Sequence, residues 1–158
     1  MFQSDPARKN GIMAEILHRV GINAAPKKVY AALTQPSGLA GWWTENTTAE
    51  PRTGAILEFR FDGGGPDMQV KALRPGKQVK WKCVGGPGEW LGTAVTFDLK
   101  KEGKETVVLF SHRGWKKPSA FFRHCSCKWA YFLLSLKSLV EDGKGTPYPH
   151  DRAISKWG

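Results

Sequence analysis

The last long periodic segment, Ser119 to Asp142, constrains this chain most, because it reads as a single helix closing a chain otherwise made of strand-like runs. Phe122, Cys125, Trp129, Phe132, Leu133, Leu136 and Val140 recur at three- and four-residue steps, the period of a helix with one buried face. A lone amphipathic helix needs a surface to cover, and strands with one apolar face supply it.

Those strands are legible as alternation. Ile16, His18, Val20 and Ile22 alternate with Glu15, Leu17, Arg19 and Gly21, which puts an apolar face carrying one imidazole inward. Pro26 suits a first helical position, and Val29, Tyr30, Ala32 and Leu33 follow at helical spacing, so a short helix is predicted over 26–34. Gln35-Pro36 interrupts it, and a second short helix over 37–43 ends in Trp42-Trp43. Period two then returns in Ala55, Leu57, Phe59 and Phe61, in Met68, Val70 and Ala72, in Val79, Trp81 and Cys83, and in Leu91 to Leu99. A last long strand covers Thr106 to Trp115, with apolar residues on both faces. Gly63-Gly64-Gly65-Pro66, Arg74-Pro75-Gly76, Gly85-Gly86-Pro87-Gly88 and Glu102-Gly103-Lys104 join neighbours as hairpins. The expected fold class is α+β: a curved antiparallel sheet of about six to seven strands gripping a long C-terminal helix, with two short helices after the first strand.

At 158 residues the chain suits one core. The expected division is a flexible leader over 1–14, a single domain over 15–143 and a C-terminal tail over 144–158, where Pro147 and Pro149 stop the helix. Seven Trp and eight Phe furnish an aromatic interior. The net charge of +10 comes as scattered doublets such as Lys27-Lys28, Lys100-Lys101 and Lys116-Lys117, the pattern of a solvated surface. A net positive field favours nucleic acid, an anionic membrane surface and an acidic protein alike, and because no recognisable binding motif accompanies it, nucleic acid is not the expected partner. Cys83, Cys125 and Cys127 cannot pair completely, no stretch reaches the length of a membrane span, and Met1 to Gly11 lacks the apolar core of a secretory signal. A cytoplasmic protein with reduced thiols is expected.

Ile22-Asn23-Ala24-Ala25-Pro26-Lys27-Lys28-Val29-Tyr30-Ala31-Ala32-Leu33-Thr34, Gly38-Leu39-Ala40-Gly41-Trp42-Trp43-Thr44, Gly54-Ala55-Ile56-Leu57-Glu58-Phe59-Arg60-Phe61 and Trp129-Ala130-Tyr131-Phe132-Leu133-Leu134-Ser135-Leu136-Lys137 together carry a resemblance. The chain resembles the SRPBCC or START-like helix-grip superfamily, and within it the group related to the C-terminal domain of the heat-shock-protein-90 ATPase activator. The resemblance runs from Glu15 to Gly143 and is specific for fold rather than activity. It implies an apolar cavity between sheet and helix, with Phe59, Val70, Trp81 and Phe97 from the sheet and Trp129, Phe132 and Leu133 from the helix along it. Trp42 and Trp43 would sit near an entrance by the short helices. The inward alternation supports the same residues independently.

His18, on the inward face of the first strand, and His112, on the last strand, are the polar candidates for the cavity, able to hold a carbonyl or act as a base near neutral pH. Glu89, beside Trp90 in a Gly-Pro-Gly-Glu-Trp loop, is a candidate carboxylate at its mouth, and Arg113 and Trp115 could orient an acidic group or stack on a ring. His124, Cys125 and Cys127 look like a soft-metal cluster, but residues two apart on a helix project about 200° from one another, so no metal site is assigned. Gly63 to Gly65 lacks the lysine and helix of a phosphate loop and reads as a turn.

The leading expectation is a small protein that shelters a hydrophobic or aromatic molecule or lipid in the cavity, in a stress response and without a cofactor. A cyclase- or hydrolase-type enzyme using His18, His112 or Glu89 is the first alternative, since no complete catalytic set is recognisable. A chaperone-directed domain, with the chaperone as partner, is the second; here the chain departs from the eukaryotic activators in having no room for their additional N-terminal domain.

Overall fold

The computed structural model describes residues 14–158, so the leader expected over 1–14 lies, apart from Ala14, outside the described residues. Strand β1 (Ala14–Ile22) leads into helices α1 (Pro26–Thr34) and α2 (Pro36–Trp42). Strands β2 (Asn46–Thr48), β3 (Ile56–Arg60), β4 (Asp67–Arg74), β5 (Gln78–Gly85), β6 (Ala94–Glu102) and β7 (Glu105–Trp115) follow, and α3 (Ala120–Asp142) ends the order. The seven strands form one antiparallel sheet in the order β1-β7-β6-β5-β4-β3-β2, a meander whose last strand returns to pair with the first. Two expectations shift: β2 was not foreseen, and Leu91 lies in a turn ahead of β6 rather than in a strand.

The two short helices are set by their prolines. Each begins with Pro at its first turn, where the missing N–H costs nothing. Pro36 also holds Gln35 extended at ψ 141°, which ends α1. Trp42 Nε1 donates to the Ala32 carbonyl at 2.9 Å and locks the pair into a V. A Cβ on Gly38 would stand 2.6 Å from Ala32 Cα, so the close crossing of α1 and α2 requires glycine. The long helix α3 is capped at both ends. Ser119 Oγ accepts from the Phe122 N–H at 3.1 Å, and Gly143, left-handed at φ 82°, donates its N–H to Leu139 O at 2.9 Å.

The inward residues of the sheet line up in cross-strand rows. Val70, Trp81, Val95, His112 and Ile16 form one row, and Val79, Phe97, Phe110 and His18 the next. Against them α3 lays Cys125, Trp129, Phe132, Leu133, Leu136 and Val140, all buried. The expectation of a helix gripped by a curved sheet therefore holds, down to the residues on the helix stripe. Beside α1 and α2 the interior is filled by Leu33, Leu39, Trp42 and Leu136, each fully buried.

Candidate functional site

Packing gives way at the other end, where the N-terminal half of α3 faces the β3–β4 hairpin. Residues 63–65 of that hairpin are glycines and project no side chains, Gly63 and Gly64 having the positive φ values of 81° and 135° that the turn demands. The result is a cavity of about 750 Å³. Trp43, Phe61, Trp90, Trp129, Phe132 and Tyr148 make up most of its apolar lining. The tryptophans form a cluster, with Trp43 4.9 Å from Trp129, and Trp90 5.9 Å from Trp129 with planes only 23° apart. Two ion pairs stand at its borders: Arg60 to Asp67 at 2.7 Å on the hairpin, and Lys128 to Asp151 at 2.6 Å between α3 and the C-terminal segment.

His112 explains why the tryptophan wall stands where it does. Its Nδ1 receives the Trp129 indole N–H at 3.1 Å, which makes Nδ1 the acceptor and leaves the proton on Nε2. Nε2 then donates to Thr93 Oγ1 at 2.7 Å, and the Thr93 hydroxyl donates to the Trp90 carbonyl at 2.5 Å. One neutral imidazole thus ties two wall tryptophans, one on α3 and one on the β5–β6 connection, to the sheet. Burial pushes the imidazole from the ordinary 6.5 down to about 3. Both ring nitrogens are committed, so this histidine positions the wall and has no free atom to offer a substrate.

Two further groups of the lining, Cys125 and His124, are also held by the protein. Cys125 lines the cavity, receives the Trp90 indole N–H at 3.4 Å, and has its thiol pushed up to about 12, chiefly by burial. His124 Nδ1 lies 2.7 Å from Ser155 Oγ, and its pKa is lowered by burial and, to a lesser extent, by the Lys128 charge. Cys127 is exposed and outside the lining; among the described residues no group of three or more metal-ligating side chains converges.

Of the expected site residues, Trp43, Trp129 and Phe132 line the cavity. Phe59, Trp81 and Phe97 lie behind them, Phe59 4.3 Å and Trp81 6.0 Å from Trp43, while Val70 and Leu133 are buried in the same core. Trp42 is fully buried and stacked on Trp43 at 5.8 Å, so of the pair placed at an entrance only Trp43 reaches the open space. His18 is half-buried away from the cavity, its Nε2 3.1 Å from the Ser126 carbonyl of α3. Glu89 accepts from Ser119 Oγ at 2.5 Å and so braces the α3 cap. Arg113 pairs with Glu15 at 2.6 Å on the surface, and Trp115 is buried 4.9 Å from His112.

Several lining residues escaped the sequence reading: Phe61, Trp90, Lys128, Tyr148, Asp151 and Trp157. Trp90 offered a signal, an aromatic residue in a Gly/Pro-rich loop, and Phe61 another, as the last residue of the inward alternation from Ala55; the others lie on the polar side of α3 or in the tail, where periodicity carries no information.

Known proteins share this architecture. The solution structure of the Aha1 dimer from Colwellia psychrerythraea is similar with a TM-score of 0.79 and 46% identity, over 84% of this chain and 100% of that one. The crystal structure of MLL2253 from Mesorhizobium loti matches with a TM-score of 0.71 at 23% identity, over 80% of this chain and 96% of that one, a likeness of fold alone. Digeranylgeranylglycerophospholipid reductase 3 of Methanosphaera stadtmanae is 32% identical over 108 residues, which is 65% of this chain and only 26% of the reductase. The family model that matches covers residues 23–141, from the turn before α1 almost to the end of α3. The chain therefore belongs to the family described as Activator of Hsp90 ATPase homolog 1-like protein.

Proposed function

We propose that this protein binds a hydrophobic or aromatic small molecule in the cavity between the β3–β4 hairpin, α3 and the C-terminal segment. The observation that carries the reading is the cavity itself: about 750 Å³, walled by Trp43, Trp90, Trp129 and Phe132. That volume suits a drug-sized ligand, which such sites enclose largely with apolar and aromatic side chains. The indole N–H groups of Trp90 and Trp129 are already satisfied within the protein, so these rings present apolar surface to an occupant. Three free cysteines accord with a role in a reducing compartment such as the cytoplasm.

Titration with the neutral fluorophore N-phenyl-1-naphthylamine, read through tryptophan quenching and probe emission, tests this directly. Saturable binding of one probe per chain, weakened by Trp129→Ala while folding persists, is expected. Probe that fails to bind, or that binds equally well to the variant, overturns it.

A second reading, a chaperone-directed domain, is favoured by the family match over 23–141 and by the 46%-identical Aha1 structure. It predicts co-purification with an Hsp90-type chaperone and an increase in that chaperone's ATPase rate. A null result in both removes it. The dimer named for the Colwellia protein extends this reading to self-association of the present chain, which light scattering resolves.

A further inference from the structure

The C-terminal segment is built differently from the rest of the molecule. As far as Tyr148 it is fastened through the backbone: Thr146 N–H donates to Ser135 Oγ at 2.7 Å, Tyr148 N–H to the Trp43 carbonyl at 2.9 Å, and the Tyr148 carbonyl accepts from Glu45 N–H at 3.0 Å. Beyond Tyr148, among the described residues, no backbone–backbone hydrogen bond reaches the body of the protein; those of residues 150–158 run within the segment. What holds it is a contact from His150 Nε2 to Glu45 Oε1 at 2.8 Å, on the surface, and a row of α3 side chains. Lys128 Nζ, nearly buried, grips Asp151 at 2.6 Å and the Arg152 carbonyl at 2.8 Å; Tyr131 Oη accepts from Arg152 N–H at 3.1 Å; His124 meets Ser155; and Trp157 packs edge-on to Phe121 at 5.6 Å.

The same segment lines the cavity. Tyr148, Asp151, Trp157 and Gly158 all face it. It lies past residue 141, where the family match ends. A wall without backbone pairing to its neighbours is the part of a structure that opens at least cost.

We propose that residues 149–158 form a strap, hinged at Tyr148 and fastened by Lys128 and Tyr131, which opens to admit the ligand and closes to make one of its walls. Tyr148 and Trp157 are then ligand-contacting residues that the helix-grip body does not supply. The inference rests on the reading of the cavity as a binding site.

Tyr131 gives a clean test, because it fastens the strap without lining the cavity. Stopped-flow mixing of the full chain with N-phenyl-1-naphthylamine separates kon from koff. Tyr131→Phe removes a single hydrogen bond with little change of shape, and both rates should rise roughly threefold. Asp151→Asn, which leaves Lys128 without its charge partner, should raise both by about tenfold. Hydrogen exchange of the Arg152 amide should quicken in both variants, with α3 unchanged. Unaltered rates and exchange overturn the strap while the cavity stands, as does a rise in koff alone, the mark of a lost contact. Absence of probe binding to the unmodified protein overturns the binding-site reading and the strap with it.

Discussion

Replacing His112 with Phe keeps a buried ring and removes both hydrogen-bonding nitrogens. The Trp129 indole N–H, donated to His112 Nδ1 at 3.1 Å, is left buried without an acceptor, which costs about 1–3 kcal/mol. Thr93 keeps its bond to the Trp90 carbonyl but loses the proton it received from Nε2, and the two losses together come to about 2–4 kcal/mol near pH 7.5. The loss has a characteristic pH dependence. The folded imidazole is depressed to about 3 by burial, whereas the unfolded one takes up its proton near the ordinary 6.5. Its contribution is therefore complete above 6.5 and falls away as the pH drops towards 3, because acid stabilises the unfolded chain first. At pH 4.5 the unmodified protein has lost about 2–3 kcal/mol through this one group, and the Phe variant nothing. The remaining titrations are shared by both proteins and cancel in the difference. Urea unfolding at pH 7.5 and pH 4.5 should thus show a gap of about 2–4 kcal/mol that mostly closes on acidification. A gap that does not change with pH would refute the buried neutral imidazole, and one below about 0.5 kcal/mol at pH 7.5 would refute the network.

Other expectations are simpler. Ser119→Ala removes the α3 cap to the Phe122 N–H and the partner of Glu89, and should lower stability by about 1 kcal/mol in thermal unfolding. A thiol reagent at pH 7.5 should modify exposed Cys127 quickly and leave Cys125, whose thiol is pushed up to about 12, untouched until the chain unfolds; mass spectrometry of the labelled peptides distinguishes the two. Gly65→Ala places a Cβ against the Phe59 carbonyl, so the hairpin must shift, and both probe affinity and Tm should fall.

The sequence revealed the frame of this molecule because its elements are long enough to show a period. The α3 stripe and the alternation of β4, β5 and β6 name which residues face inward, and Trp129 and Phe132 follow from the stripe directly. Alternation fixes a face but not a height along the sheet. Val70, Trp81 and Phe97 face inward as the alternation requires, yet they lie where the interior is filled. Strand β2, only Asn46–Thr48, is too short and too polar to show alternation. The hairpin glycines that leave the space open, the loop residue Trp90 and the tail residues Tyr148, Asp151 and Trp157 occupy positions that only tertiary folding brings together. His112 was legible as a polar candidate on the last strand; its inward direction and its role in holding Trp129 and, through Thr93, the Trp90 backbone were not, because that strand is apolar on both faces and those partners are distant in sequence.

Whether the open space beside α3 takes an aromatic guest is decided by a crystal structure of the protein grown with N-phenyl-1-naphthylamine. One probe is expected against Trp43, Trp129 and Phe132, beside Tyr148 and under Trp157 of the closed strap. Side chains filling that space, or probe bound only elsewhere on the surface, would contradict it.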